Sequence, residues 1–152
     1  MSGRYVLTAG SVLRGDDAAG PMLAKMLTEN PVEGWTAIDG GQTPEDDIAV
    51  LRKAQPDEIL FVDASIMGLE VGEIRQLTED DVATQFLVTT HSLPMNFLLS
   101  QLREICPNIC FLGIQSGSLD FFDPLSPQVE EALNKIVDCL IHGGDFSVFE
   151  DV

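Results

Sequence analysis

A chain of 152 residues with 25 Asp and Glu against 8 Lys and Arg carries a formal net charge of −17, which excludes a face able to displace counterions from nucleic-acid phosphates and, on the same ground, attraction to an anionic membrane surface. Its 45% hydrophobic and 22% charged residues nevertheless describe a globular chain, because enough apolar surface exists to offset the entropy of ordering. Arg4 to Ala9 reads as a first strand, followed by a loop bounded by Gly10 and Gly15 and by a helix with Met22, Leu23, Met26 and Leu27 on one face. Pro21 falls in that helix's first turn, where a missing N–H costs little. Trp35 to Asp39 is a short second strand running into Gly40 and Gly41. Thr43 is the expected N-cap, with Pro44 as the first residue, of a helix that continues through Leu51.

Glu58 to Asp63 (EILFVD) is an apolar run of strand length, as a strand covered on both faces should be. Glu73 to Leu77 follows after a connection too short for a helical crossover, so it is expected to run antiparallel near an edge. Thr78 caps a short helix, and Pro94 opens a longer one with Phe97, Leu98, Leu99, Leu102 and Ile105 at helical spacing. Ile109 to Gln115 is the last strand. Ser126 and Pro127 start a final helix that closes at His142, Gly143 and Gly144. Strands alternating with helices predict a three-layer α/β/α sandwich around a mostly parallel, roughly five-stranded twisted sheet. One domain over residues 1–143 is expected, with 144–152 as a short acidic tail. Cys106, Cys110 and Cys139 fit neither a CxxC pair nor a zinc knuckle. They read as buried thiols of a reducing compartment, and with no apolar run long enough for a membrane span or a secretory signal, a cytoplasmic monomer is expected.

Open α/β sheets build their sites outside the carboxyl ends of the strands, where loops and helix N-termini converge. The polar residues expected there are Asp16 and Asp17 after the first strand, Asp39 after the second, Asp63 on the third and Gln115 on the last, with His91 leading into the Pro94 helix. The first loop has the G-x-x-x-x-G spacing of a phosphate loop but carries two carboxylates where that loop needs Lys and Ser or Thr, so it favours a cation over a phosphate. Two carboxylates and an imidazole suit Mn, Fe, Ni or Zn with open positions for substrate or water. Each of these residues also has a plain reading: Asp39 shapes a turn, and Asp at a strand end caps a helix. Asp63 resists it, because it directly follows Leu60, Phe61 and Val62, where an ionised group is costly unless compensated.

The segments GSVLRGDDAAGP, IDGGQTPEDDI, LFVDASIMGLEVGEIR, TTHSLPMNFL and FLGIQ together resemble the hydrogenase maturation endopeptidases, which trim the C-terminus of the nickel-iron hydrogenase large subunit after nickel insertion, and within them the subgroup acting on the hydrogenase 3 large subunit. The resemblance spans nearly the whole chain. It implies that Asp17, Asp63 and His91 bind or recognise nickel carried by the precursor, with zinc or cadmium as stand-ins in vitro. It also implies that Asp39, Gly40 and Gly41 border the cleft. If the general base is separate from the ligands, Asp16 and Asp39 are the candidates. Ser11 stands where the family usually has Asn, and Ala18 where Gly is common. Two other readings compete: a receiver-like signalling domain with Asp63 as phosphoacceptor, disfavoured because Gln115 stands where a receiver has Lys, and a non-catalytic scaffold that binds metal or a hydrogenase subunit.

Overall fold

The computed structural model describes residues 3–84 and 94–152. Five strands, β1 Arg4–Thr8, β2 Trp35–Asp39, β3 Glu58–Ser65, β4 Ile74–Leu77 and β5 Ile109–Gln115, form one sheet in the order β2-β1-β3-β5-β4. β1 pairs in parallel with β2 and β3, and β3 with β5, whereas β4 runs antiparallel to β5 at the edge. The connection from β3 to β4 contains no helix that could return the chain to the sheet's starting side, so β4 runs back the other way. The expected three-layer architecture with one antiparallel edge strand is therefore the one observed.

Two helices, α1 Ala19–Glu29 and α5 Pro127–Ile141, cover one face; α2 Ile48–Ala54 and α4 Met95–Ile105 cover the other, with α3 Glu79–Thr84 beside α4. The period of two along each strand divides the core between them. Val6, Leu60, Val62, Leu112 and Ile114 pack toward α1 and α5, while Leu7, Ile59, Phe61 and Phe111 pack toward α2 and α4. Each such side chain, when fully buried, stabilises the fold by about 1.5–3 kcal/mol. The Phe61 and Phe111 rings lie 5.1 Å apart between β3 and β5.

Several local expectations are corrected. In α1 the buried face is Ala19, Leu23, Ala24 and Leu27, leaving Met22 exposed; in α4 it is Met95, Leu98, Leu99 and Leu102, leaving Phe97 exposed. At 100° per residue the buried Ala19, Leu23, Ala24 and Leu27 span one arc of α1 and Met22 falls outside it, as Phe97 falls outside the arc of Met95, Leu98, Leu99 and Leu102. Pro44–Asp47 is a 3-10 turn in which Thr43 makes no side-chain cap, and α2 begins only at Ile48. By contrast Thr78 does cap α3, in a reciprocal box: Asp81 N–H donates to Thr78 Oγ1 (3.2 Å) and Thr78 N–H to Asp81 Oδ2 (2.8 Å). At the end of α5, Gly144 N–H reaches Cys139 O (2.9 Å) and Gly143 N–H reaches Leu140 O (3.2 Å), a double closure that satisfies two orphan carbonyls.

The segment after α5 folds back instead of trailing into solvent. Phe146 is buried in the α1/α5 core, edge-on to Trp35 at 5.8 Å. Gln76 holds the rest: its side-chain amide donates to Phe146 O (3.0 Å) and Phe149 O (2.8 Å), and its backbone pairs with Glu150 O and Val152 N–H. The otherwise open edge of β4 is thereby covered. Among the described residues, no helix is long and apolar enough to cross a membrane. All three cysteines are free thiols; Cys106 is buried and the other two half-buried, with burial the main cause pushing Cys110 up to about 12.

Candidate functional site

The chain passes from β1 to β2 through α1 on one face and from β3 to β5 through α4 on the other, so strand order reverses between β1 and β3. A crevice forms at such a reversal, outside the C-terminal strand ends. Asp63 sits near the C-terminal end of β3 and is only 3% exposed. Strand alternation gives its carboxylate the face of Ile59 and Phe61, beneath α4, and its register partner on β5 is Gly113, which adds no side chain there.

Asp17 lies in the 3-10 turn Gly15–Ala18 between β1 and α1, a turn that packs against β3. Its carboxylate is buried, and Oδ2 accepts the Ser11 N–H at 2.9 Å, which fixes its orientation. Gly10 makes this loop possible: its φ is +141°, and a Cβ there would be driven into the Asp17 carbonyl oxygen. Asp17, on a turn that contacts β3, and Asp63, near the C-terminal end of β3, are thus both carried to the same end of the sheet, one by a loop and one by a strand. His91 lies outside the described residues, and among those described no group of three or more His, Cys, Asp or Glu is arranged to hold a metal ion.

Asp39 ends β2, exposed, with Oδ1 accepting the Gly41 N–H at 2.9 Å. Its loop is tied to the first one through Gly40 N–H to Thr8 O and Gly10 N–H to Gly41 O, both 2.8 Å. Next to it, Asp47 has its carboxyl held above the ordinary value, by burial first and then by the like charges of Asp46 and Asp39. Carboxylates therefore border the crevice from the β2 side as well.

Asp16 plays a different part from its neighbour. It is fully buried, and both oxygens are engaged: Oδ1 accepts Ser126 N–H (2.6 Å), and Oδ2 accepts Gly117 N–H (2.7 Å) and Ser126 Oγ–H (2.6 Å). The carboxylate is spent on locking the first loop to the start of α5, where an anion also suits the helix N-terminus. Gln115 is a second anchor: its Oε1 accepts Met67 N–H (2.7 Å) and Leu69 N–H (3.3 Å), fixing the loop that follows Asp63. Ser126 and Gly117 carried no signal in the sequence beyond a helix start and a turn. A groove of about 450 Å³ elsewhere, lined by Glu70, Glu73, Arg75, Gln128, Glu131 and Lys135 among others, includes none of Asp17, Asp39 and Asp63.

A family model described as hydrogenase maturation protease matches residues 21–142. The chain is 41% identical over 131 residues to the hydrogenase 3 maturation protease of Escherichia coli K12, covering 86% of this chain and 84% of that protein. Its fold is similar to the solution structure of the endopeptidase HycI from Escherichia coli, with a TM-score of 0.90 and 38% identity over 99% of this chain and 96% of that one. It is also similar to the crystal structure of the nickel-iron hydrogenase maturation protease HycI from Thermococcus kodakarensis KOD1, with a TM-score of 0.78 and 28% identity over 91% and 90% of the two chains.

Proposed function

The chain belongs to the hydrogenase maturation protease family, and from that membership we propose that it removes a C-terminal peptide from the nickel-loaded precursor of a nickel-iron hydrogenase large subunit, of the hydrogenase 3 type. The observation that supports the reading is the burial of two carboxylates, Asp17 after β1 and Asp63 on β3, on the two strands between which the strand order reverses. Two buried carboxylates add negative potential at this position, which attracts a cation brought by the substrate. Nickel is then cargo of the precursor, and Asp17, Asp63 and His91 complete its coordination. Zinc or cadmium can replace it in vitro. A precursor lacking the metal forgoes its attraction to these two negative charges, so selectivity for the loaded form follows from differential affinity.

Peptide hydrolysis also needs a base to activate water within hydrogen-bond reach of the scissile carbonyl. Asp16 is unsuited, since both of its oxygens already accept hydrogen bonds inside the protein. Asp39 fits better: it is exposed at the crevice rim and oriented by the Gly41 N–H. The decisive experiment incubates the protein with nickel-loaded and nickel-free precursor and follows loss of a short C-terminal peptide by mass. Cleavage of the loaded form alone is expected, and Asp17→Asn, Asp63→Asn and His91→Ala should each slow it by about 100-fold or more. A loaded precursor that binds but stays intact would make the chain a scaffold and not a protease of this substrate.

A further inference from the structure

Beside Asp17 the structure exposes four large apolar side chains on two loops. Val12 and Leu13, after β1, are 69% and 50% exposed; Phe121 and Phe122, after β5, are 65% and 84% exposed. The two loops are joined into one lip. Phe122 N–H donates to Leu13 O (2.8 Å), Asp16 N–H donates to Ser118 O (2.8 Å), and Gly15 packs so closely on Ser118 that a Cβ would strike its carbonyl oxygen. Arg14 stands with its guanidinium carbon 5.5 Å from the centroid of the Phe121 ring. Phe122 has φ +65°, a region that a bulky L residue avoids and that Gly or Asn enters easily. Backbone strain and fixed hydrogen bonds here serve to hold two aromatic rings out in water, which is the reverse of what core packing would demand.

We propose that Val12, Leu13, Phe121 and Phe122 are the docking surface for the folded body of the large-subunit precursor, a reading that rests on the function proposed above. The surface adjoins the carboxylates: Leu13 and Asp17 belong to the same short connection between β1 and α1, so a precursor engaged at Asp17 lies next to the lip. Rigid aromatic side chains on pre-ordered loops are suited to anchoring a protein, because little conformational freedom remains to be lost on binding. The net charge of −17 turns away anionic membranes and nucleic acids.

The test is steady-state cleavage of nickel-loaded precursor over a range of precursor concentrations. Phe121→Ser combined with Phe122→Gly should raise KM by about ten-fold or more while kcat stays within about two-fold and the thermal midpoint is kept, since Gly is at ease at the left-handed position. Val12→Ser with Leu13→Ser strips the lip from the other loop and should give the same KM rise. An unchanged KM in both folded pairs overturns the docking surface while leaving the protease reading intact. Failure of the unaltered protein to cleave overturns both. Light scattering adds a further outcome: if the unaltered protein self-associates and the substitutions abolish that without moving KM, the lip joins two copies of this chain and the assignment to the precursor is wrong.

Discussion

Asp16→Ala removes the acceptor of three hydrogen bonds, from Gly117 N–H, Ser126 N–H and Ser126 Oγ–H. With hydrogen bonds to a charged group worth about 1.5–3 kcal/mol, a loss of about 3 kcal/mol is expected, seen as a fall in thermal midpoint of about 6–12 °C. Asp17→Asn keeps an oxygen for the Ser11 N–H and should shift the midpoint by less than about 3 °C while cleavage is lost. Equal destabilisation by the two substitutions would show that these neighbouring carboxylates do not divide structural and chemical duties. The sequence displayed both as an acidic pair in a cation-seeking loop. It could not separate them, because what distinguishes Asp16 is a partner 110 residues further on, and no local pattern announces such a contact.

The elements on either side of residues 85–93 are pinned to each other. Arg103 on α4 grips Glu79 at the start of α3 with two hydrogen bonds, Nε to Oε2 at 2.7 Å and Nη2 to Oε1 at 2.9 Å. That hydrogen bond outweighs desolvation and holds the Glu79 carboxyl below its ordinary value. A lowered carboxyl contributes stability that is complete above its unfolded value and is lost as pH falls through the folded one. Glu79→Gln should therefore lower the urea midpoint at pH 7, by an amount equivalent to less than about 1 kcal/mol because both groups are partly exposed, and the difference from the unaltered protein should shrink progressively as the pH falls below the ordinary carboxyl value. A difference that persists in acid would assign the effect to packing. At this scale the sequence was most legible where hydrogen bonding is local. The Thr78 box, the closure at Gly143 and Gly144, and the reversal of β4 could be read from spacing and connection length. Thr43 failed as a cap because Pro44–Asp47 took a 3-10 turn, and Phe97 and Met22 were misassigned because apolar character alone does not fix which side of a helix meets the sheet.

For the molecule as a whole, the last residues close the fold. Trp35 is the junction, edge-on to Phe146, 4.6 Å from the Arg4 guanidinium carbon and in contact with the turn at Gly144. Phe146→Ala should cost about 3 kcal/mol, read from urea unfolding. Deleting residues 145–152 should in addition bare the β4 edge and produce concentration-dependent association, detectable by light scattering; a truncated chain of undiminished stability would reduce this segment to decoration. The layers, the mostly parallel sheet and the carboxyl-end location of the carboxylates were all readable from alternation and from strand ends. The docking of the final segment was not, since its acidic residues advertise a solvated tail and the two aromatic residues that contradict this have their partners far away in the chain. The bond between Asp16 and Ser126 also bears on the order in which the protein is made. Synthesis delivers the first loop before α5, so the ribosome must add the 110 residues that separate Asp16 from Ser126 before that loop acquires its anchor. The first part of the crevice to be synthesised is thus among the last to become rigid, and a nascent or truncated chain ending before residue 126 would hold Asp17 on an unsecured loop.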